Sequence, residues 1–403
     1  MKLNKLPEEF TKASPVLKQI EEAGYEAYFV GGSVRDALLG QPIHDVDIAT
    51  SAFPAEIKEI FKRTIDIGIE HGTVLVLHEE EQYEITTFRT ESTYQDFRRP
   101  DHVEFVRSLA EDLKRRDFTI NAFALKEDHT IIDLFDGLSD LDQKILRAVG
   151  NPHERFHEDA LRMMRGLRFI SQLGFEMEQE TFSAIYENHA LLEKISIERI
   201  YIEFNKLLLG NYRIRAIKNF VETECYQYCP GFRDKGAELL NFADLPPQKI
   251  ATEAQAWALL LDQLLVKAEE IRSFLKKWKA SNELITHTQA IFCGMQLRKD
   301  HFWQPLELYH LGSFALSAEE MMPYFSVESD QMAVEAALDD LPIRSLKDLA
   351  INGRDLLTTF DLKSGKWVKE VLTCCEEAVV LRKIKNTRST LIEFAKKQLE
   401  GEK

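Results

Sequence analysis

Cysteine is scarce in this chain of 403 residues, which contains five: Cys225, Cys229, Cys293, Cys374 and Cys375. Their spacing matches no zinc motif, and their odd number leaves one without a disulfide partner. This pattern is typical of buried thiols in a reducing compartment. The sequence therefore predicts a cytoplasmic protein.

Long hydrophobic runs are also missing, since no stretch reaches the eighteen or so uninterrupted apolar residues that a membrane-spanning helix needs. The longest candidate, residues 254–266, is interrupted by Gln255, Asp262 and Gln263. The first ten residues have no apolar core of the kind found in secretory signals. We expect neither a membrane partner nor a secretory signal.

Positive charge is in deficit, because 51 Lys and Arg face 67 Asp and Glu, for a net charge of −16. This excludes a protein that holds nucleic acid through bulk positive charge, as histone-like proteins do. Basic residues instead form local clusters at 212–218, 276–279 and 382–397. A local basic groove on an acidic body remains compatible with the composition.

Strand and helix patterns alternate in the first third of the chain and give way to helical periodicity after about residue 140. Strands are predicted at 26–30, 72–77, 83–88, 103–106 and 130–135, and a helix at 112–125. The predicted fold class is α+β, with an N-terminal mixed-sheet head followed by an all-helical neck, body and tail. The predicted domains are a head (1–147), a neck (148–210), a body (211–285) and a tail (286–403).

The segment 28–50 carries the first chemical signal. A short strand ends at Gly31, Gly32 and Ser33, and a helix then begins. Glycines at a helix N-terminus leave backbone N–H groups accessible to phosphate oxygens. Arg35, one turn into the helix, is placed to pair with a phosphate. The segment therefore predicts a phosphate-binding turn, although a glycine pair alone is more often only a turn.

Asp45 and Asp47 follow within a dozen residues. If both lie on a strand, residues two apart face the same side. Two carboxylates on one side can share Mg²⁺, which prefers oxygen ligands. Glu84, on a later predicted strand, is a candidate third ligand. A phosphate-binding turn beside a metal site is what nucleotidyl transfer requires.

Two arginine-rich motifs follow. In the first, Arg115 and Arg116 precede Asp117, and we favour Arg116 as the residue that reaches a triphosphate and Asp117 as an acceptor for a ribose hydroxyl. In the second, one helix is expected to carry Asp159, Arg162, Arg165 and Arg168 at intervals of three. Charged runs of this kind otherwise form a solvated helix surface.

These segments resemble the class II nucleotidyltransferases of the polymerase β superfamily, which include CCA-adding enzymes and bacterial poly(A) polymerases. The resemblance rests on residues 31–50, 115–122, 158–169 and 196–208, in that order. It implies template-independent addition of CCA to the 3′ end of tRNA from CTP and ATP, with pyrophosphate released by two-metal phosphoryl transfer. It also implies nucleotide contacts by Asn121 and a loop, 89–102, that switches the pocket from C to A. By the same resemblance the head is catalytic, the neck recognises nucleotide, and the body and tail bind tRNA. The resemblance leaves open whether the chain forms a homodimer.

Base selection is expected from Asp159 and Arg162. A carboxylate only accepts hydrogen bonds and a guanidinium only donates them. Cytosine and adenine both present an amine beside an acceptor nitrogen, whereas guanine and uracil present the reverse. The alternative is a simple Asp–Arg ion pair within the helix, without contact to substrate.

Other family members fit the sequence less well. A poly(A) polymerase is expected to have a basic body, and this chain is acidic. Enzymes that add only CC lack the loop, and the sole His-Asp pair, His44-Asp45, argues against a phosphohydrolase domain. An A-only enzyme is less firmly excluded. A non-catalytic RNA-binding relative would be expected to lack Asp45 or Asp47.

Overall fold

The computed structural model describes residues 1–91, 94–95, 99–100 and 103–401. The chain separates into two compact units. The first comprises Met1–Ala243 with Lys277–Lys279, and the second comprises Asp244–Lys276 with Ala280–Lys403. The four-domain division drawn from the sequence remains a prediction within these two units.

The N-terminal part of the first unit is the mixed α/β head. In chain order its elements are α1 (Glu8–Glu22), β1 (Ala27–Val30), α2 (Gly32–Leu38), β2 (Asp47–Thr50), α3 (Pro54–Ile60), β3 (Thr64–Gly68), β4 (Thr73–His78), β5 (Glu81–Thr87), β6 (Arg89–Glu91), β7 (Tyr94–Gln95), β8 (Arg99–Pro100), β9 (Val103–Phe105), α4 (Leu109–Lys114), β10 (Phe123–Leu125), β11 (Ile131–Asp133), α5 (Gly137–Gln143) and β12 (Ile145–Leu146).

Seven of these strands form one sheet in the order β11-β10-β1-β2-β5-β4-β3. Neighbours run antiparallel except β2 and β5, which are parallel. All four residues of β1 are buried, and α1 covers it where Phe10 stacks on Phe29 with ring centroids 4.6 Å apart. The predicted α+β class with a mixed-sheet head is confirmed.

The prediction of one helix over 112–125 is wrong. Helix α4 ends at Lys114, a 3₁₀ turn spans Thr119–Asn121, and β10 then enters the sheet beside β1. Phe123, Ala124 and Leu125 are all fully buried. A short strand buried on both faces has no alternating pattern, so periodicity does not distinguish it from a helix. Strand β3 and the short parallel pair β12–β13, with β13 at Glu176–Met177, were not predicted either.

The predicted loop 89–102 begins and ends in paired backbone. Strand β6 pairs with β9, and β7 pairs with β8, all antiparallel. Residues 92–93, 96–98 and 101–102 of the loop lie outside the described residues. Its role in switching from C to A stays a prediction.

Helices complete the first unit. They are α6 (Pro152–Glu158), α7 (Leu161–Leu173), α8 (Gln179–Asn188), α9 (Ile197–Leu208), α10 (Arg213–Glu222) and α11 (Gly236–Ala243). Helix α7 packs against α9 and α10. The Ser171 hydroxyl donates to the Leu207 carbonyl at 2.5 Å, and the Tyr212 N–H donates to the Ser171 carbonyl at 2.8 Å. These bonds fix α7 against the end of α9.

The second unit is helical in its described part. Its helices are α12 (Glu253–Gln263), α13 (Ile271–Lys277, which ends in the first unit), α14 (Asn282–Asp300), α15 (Pro305–Leu311), α16 (Phe314–Glu319), α17 (Gln331–Asp339), α18 (Gly353–Phe360), α19 (Lys366–Val380) and α20 (Arg388–Gly401). The apolar helix α12 is almost wholly buried and packs against α14. Fully buried Glu319 pairs with Arg298 at 2.8 Å. In the described part of the chain, every helix is too short or too polar to cross a bilayer.

The contact between α7 and the end of α9 can be tested by a substitution at Gly210. A Cβ there would lie 2.5 Å from the Ser171 carbonyl oxygen and 2.1 Å from its hydroxyl. We expect Gly210→Ala to lower the free energy of unfolding by about 1–3 kcal/mol, as overpacking typically does. Gly68→Ala is the control, because its Cβ would meet only Thr73, at 3.7 Å. Equal urea midpoints for the two variants would contradict this account.

Candidate active site

The turn between β1 and α2 contains a glycine that no other residue replaces without strain. Gly31 has a φ of +73°, in the left-handed region that favours glycine. A Cβ there would lie 3.2 Å from Nη1 of Arg116 and 3.5 Å from Oδ2 of Asp47. The turn therefore brings the backbone between a guanidinium and a carboxylate. Its role in binding phosphate stays a prediction.

A cavity of about 680 Å³ opens beside this turn, within the first unit. Helices α2, α7 and α9 contribute to its wall, together with the segment after α4. Eleven of the fourteen predicted site residues line it: Gly31, Gly32, Arg35, Asp47, Arg116, Asp117, Asn121, Asp159, Arg162, Arg165 and Arg168. Motifs separated by more than 130 residues thus converge on one predominantly cationic pocket.

A second, acidic cavity of about 700 Å³ adjoins the first at Asp47, which lines both. Asp45 and Glu84 line only the acidic cavity. Asp47 and Glu84 are paired in register on the parallel strands β2 and β5. The expectation that Asp45 also lies on the strand is wrong, because β2 begins at Asp47.

The acidic groups act on one another. The pKa of Asp47 is raised because neighbouring protein atoms exclude water from its carboxylate. The positive charge of Arg116 opposes this shift, and the negative charges of Glu84 and Asp45 add to it. Among the described residues, no three His, Cys, Asp or Glu side chains form a metal-binding group. Mg²⁺ commonly takes one or two carboxylates and completes its shell with water and substrate phosphates. Asp45 and Asp47 fit that donor set, and a cation would relieve their repulsion.

A continuous polar relay connects the head to helix α7. Arg35 Nη1 donates to Asn121 Oδ1 at 2.5 Å, and Asn121 Nδ2 donates to Asp117 Oδ1 at 3.1 Å. Arg165 Nε donates to the other oxygen of Asp117, Oδ2, at 2.7 Å. Asn121 and Asp117 are buried, whereas both arginines line the cavity. The relay therefore fixes two guanidiniums relative to each other.

Asp117 is ionised and already occupied by donors. Burial acts to raise its pKa, but the Arg165 charge and hydrogen bonds from Asn121 and Arg165 prevail and lower it to about 2. The Phe118 N–H donates a further bond at 2.8 Å. Its place in the relay is thus to hold Arg165. The predicted contact with a ribose hydroxyl stays a prediction.

Asp112 positions the first arginine motif and was missed by the sequence interpretation. Its carboxylate is 1% exposed and accepts from Arg115 Nη2 at 2.8 Å and from Arg116 Nη2 at 3.2 Å. Burial acts to raise its pKa, but the charges of Arg115 and Arg116 lower it. The i, i+3 and i, i+4 spacing on and just after α4 is the signal that could have identified it.

Asp159 is not on the helix that carries the second motif, contrary to expectation. It ends α6 with extended backbone (φ −139°, ψ 104°), and α7 begins at Leu161. Its Oδ2 pairs with Arg199 Nη2 at 2.7 Å, whereas Arg162 Nη1 pairs with Glu158 Oε2 at 2.5 Å. The alternative of an Asp159–Arg162 pair within one helix is also wrong, because Asp159 lies before the first residue of α7. Both side chains line the cavity.

Ser33 differs from the other predicted residues. It is buried, and its hydroxyl donates to the Val30 carbonyl at 3.0 Å rather than pointing into the cavity. A contact by its side chain to nucleotide is not supported. The hydroxyl instead stabilises the turn between β1 and α2.

Helix α9 contributes residues that the sequence analysis did not assign to the site. Arg199 and Lys206 line the cavity. Glu203, between them, pairs with Arg168 at 3.0 Å. The spacing of four and three places all three on one helix face. This spacing of charged residues is a signal that could have identified them.

Asp117→Asn tests the relay. The variant keeps the shape but leaves Arg165 without its counter-charge. Breaking a fully buried ion pair lowers the free energy of unfolding by roughly 3–5 kcal/mol. At neutral pH we expect a smaller decrease here, because the Arg165 side chain is a third exposed. Since the native pKa is depressed, the stability that the charge contributes is present above the ordinary value of 3.8 and is lost as pH falls through about 2.

The measurement is urea unfolding of both proteins from pH 7 to the lowest pH at which the wild type folds. The difference between them should be constant above pH 5 and shrink below pH 4. Asp66→Asn, which removes the exposed partner of Lys58, is the control and should change stability little. A difference that does not vary with pH would contradict the charge assignment.

Known proteins resemble the chain in each of its parts. Family models match three segments: "Poly A polymerase head domain" at residues 27–147, "Probable RNA and SrmB- binding site of polymerase A" at 174–235, and "tRNA nucleotidyltransferase domain 2 putative" at 248–395. The first covers the sheet and its phosphate-binding turn. The matches therefore extend over both units.

Relatives match over the full length. The CCA-adding enzyme of Enterococcus faecalis is 58% identical over all of both chains, and that of Ligilactobacillus salivarius is 52% identical over 99% of both. The crystal structure of the Bacillus stearothermophilus CCA-adding enzyme in complex with CTP is 40% identical, with a TM-score of 0.90, and the match covers 98% of this chain and 99% of that one. The chain belongs to the CCA-adding enzyme family of nucleotidyltransferases.

Proposed function

We propose that this chain adds CCA to the 3′ end of tRNA from CTP and ATP, without a nucleic-acid template, and releases one pyrophosphate for each nucleotide. The observation that carries the proposal is the junction of the cationic and acidic cavities at Asp47. A nucleotide triphosphate suits the first cavity, and a metal-dependent transfer suits the carboxylates at its border. The identity of 58% to a CCA-adding enzyme supports the assignment.

The reaction forms one bond and breaks one. The 3′-hydroxyl oxygen of tRNA attacks the α-phosphorus of the bound nucleotide, the bond to the β-phosphate oxygen breaks, and the hydroxyl proton is lost to solvent. Asp45 and Asp47 would hold Mg²⁺, which when bound favours ionisation of the hydroxyl and neutralises the leaving pyrophosphate. Glu84, paired in register with Asp47, adds negative charge beside them.

The arginines bind the triphosphate. Arg35, Arg165 and Arg168 come from two helices and face the cavity, and Arg116 lies beside Gly31. Guanidinium groups donate paired hydrogen bonds to phosphate oxygens and remain charged at all physiological pH. Because Asn121, Asp117 and Asp112 already orient these side chains, little ordering is needed when nucleotide binds.

Base selection is assigned to Asp159 and Arg162. Arg199 keeps the Asp159 carboxylate in place, and the break between α6 and α7 directs it into the cavity. A fixed carboxylate accepts from the exocyclic amine of C or A, and Arg162 donates to the neighbouring ring nitrogen. G and U would place acceptor against acceptor and donor against donor.

We also propose that tRNA is recognised by its shape and backbone. The match of residues 174–235 to a polymerase RNA-binding model supports this partner. The local clusters of Lys and Arg supply contacts to phosphate on a chain that is otherwise acidic. A tRNA-processing role agrees with residence in the cytoplasm, where the thiols stay reduced.

The function is tested by incubating the purified chain with tRNA that lacks CCA, with Mg²⁺ and with CTP, ATP or both. We expect two C additions with CTP alone and a terminal A only when both are present. Asp47→Asn should abolish nearly all transfer yet still bind CTP through Gly32, Arg35 and Arg116. Asp66→Asn should behave as wild type. Addition of A alone, or near-normal turnover by Asp47→Asn, would contradict the proposal.

Asp159→Ala tests the base assignment. The variant should use CTP and ATP less well and admit UTP and GTP, because a good paired contact discriminates by about 1–3 kcal/mol. The ratio of CTP to UTP incorporation on one tRNA should fall by about tenfold or more. Asp36→Ala, which removes a partner of Arg35 instead, should leave this ratio unchanged. If Asp159→Ala keeps the wild-type ratio, Asp159 does not read the base.

A further inference from the structure

The aromatic ring of Phe169 lies among three guanidinium groups at the wall of the cationic cavity. The Cζ atoms of Arg168, Arg35 and Arg165 are 4.3, 5.2 and 5.6 Å from the ring centroid. The Phe169 side chain is 4% exposed, yet it lines the cavity.

Three like charges around one ring repel one another. Burial lowers the pKa of Arg168, the pair with Glu203 opposes the shift, and the positive charges of Arg165 and Arg35 add to it. Each arginine has one carboxylate partner, namely Asp36, Asp117 or Glu203. The relay through Asn121 and Asp117 links Arg35 to Arg165, but none of the three carboxylates pairs with all three guanidiniums.

Phe169 is the group that the three share. Arg35 belongs to α2, whereas Arg165 and Arg168 belong to α7 with Phe169 itself. The face of an aromatic ring attracts cations, and most strongly where water is excluded. Phe118 packs edge-on against the ring at 5.8 Å and fixes its orientation.

We propose that Phe169 is a positioning residue that holds Arg35, Arg165 and Arg168 in the spacing that binds the nucleotide triphosphate, an inference that rests on the proposed function. The ring offsets part of the repulsion between the arginines before an anion arrives. Through the arginines, the ring affects binding of the phosphates and not of the base. Weakening it should therefore raise the KM for CTP and ATP together and leave the ratio of CTP to UTP incorporation unchanged.

The test replaces Phe169 in the full-length chain by phenylalanines carrying one, two and three ring fluorines. Fluorine withdraws electron density from the ring face and changes the volume little, so cation attraction falls stepwise while packing is nearly retained. The probe is CTP, with its Kd measured by calorimetry in the absence of tRNA. We expect Kd to rise at each step, by on the order of tenfold at three fluorines, at nearly constant Tm.

Two further measurements separate a cation effect from packing. The same fluorine series at Phe10, a fully buried ring that stacks on Phe29, should leave the Kd for CTP unchanged. Phe169→Trp should bind CTP better than Phe169→Leu, because Trp keeps an electron-rich face. Failure of the wild type to bind CTP would overturn both the proposed function and this inference. Binding by the wild type with a flat Phe169 series would overturn the inference alone.

Discussion

The buried carboxylate of Asp117 ties the sheet of the head to the helices that follow it. It accepts from Asn121, which holds Arg35 on α2, and from Arg165 on α7. An ionised carboxylate in such a place is tolerated only when it is paired and hydrogen-bonded, and here three donors meet it. The same group orients Arg165 on α7 and, through Asn121, Arg35 on α2, so this part of the pocket depends on both helices.

An acidic chain can form a pocket suited to polyanions because ion pairs hold its arginines at the cavity wall. Carboxylates Asp112, Asp117 and Glu203 each hold an arginine at the cavity wall. They lower the cost of bringing guanidiniums together without occupying every donor, since each guanidinium carries five N–H groups. A net charge of −16 thus describes the whole surface and says little about the pocket, where cations are concentrated.

Local features were predictable from the sequence, and long-range partnerships were not. The glycine turn, the strand before it and the α+β order follow from short patterns of residue type, and the structure confirms them. The partners of Asp159 and Arg162 depend on where α6 ends. Asp159 is of a type that often begins a helix, but the spacing of three placed it inside one. Residues 123–125 were predicted as part of a helix because the strand β10 lies inside the sheet, so both of its faces are apolar and its sequence does not alternate. Phe169 looks like any core phenylalanine until α2 brings Arg35 to it.

Selection of C and A without a template requires that the reading groups do not adapt to the wrong base. A free Asp side chain would rotate away from the carbonyl of uracil at little cost. Asp159 is instead held by Arg199 and by the Leu161 N–H, which donates to Oδ1 at 3.0 Å. Arg162 is held by the backbone carbonyls of Arg155 and Arg115 and by Glu158. Under the proposed assignment, a mismatched base would meet a carboxylate and a guanidinium that stay in place, and the unpaired charges would be the penalty that a template strand otherwise imposes.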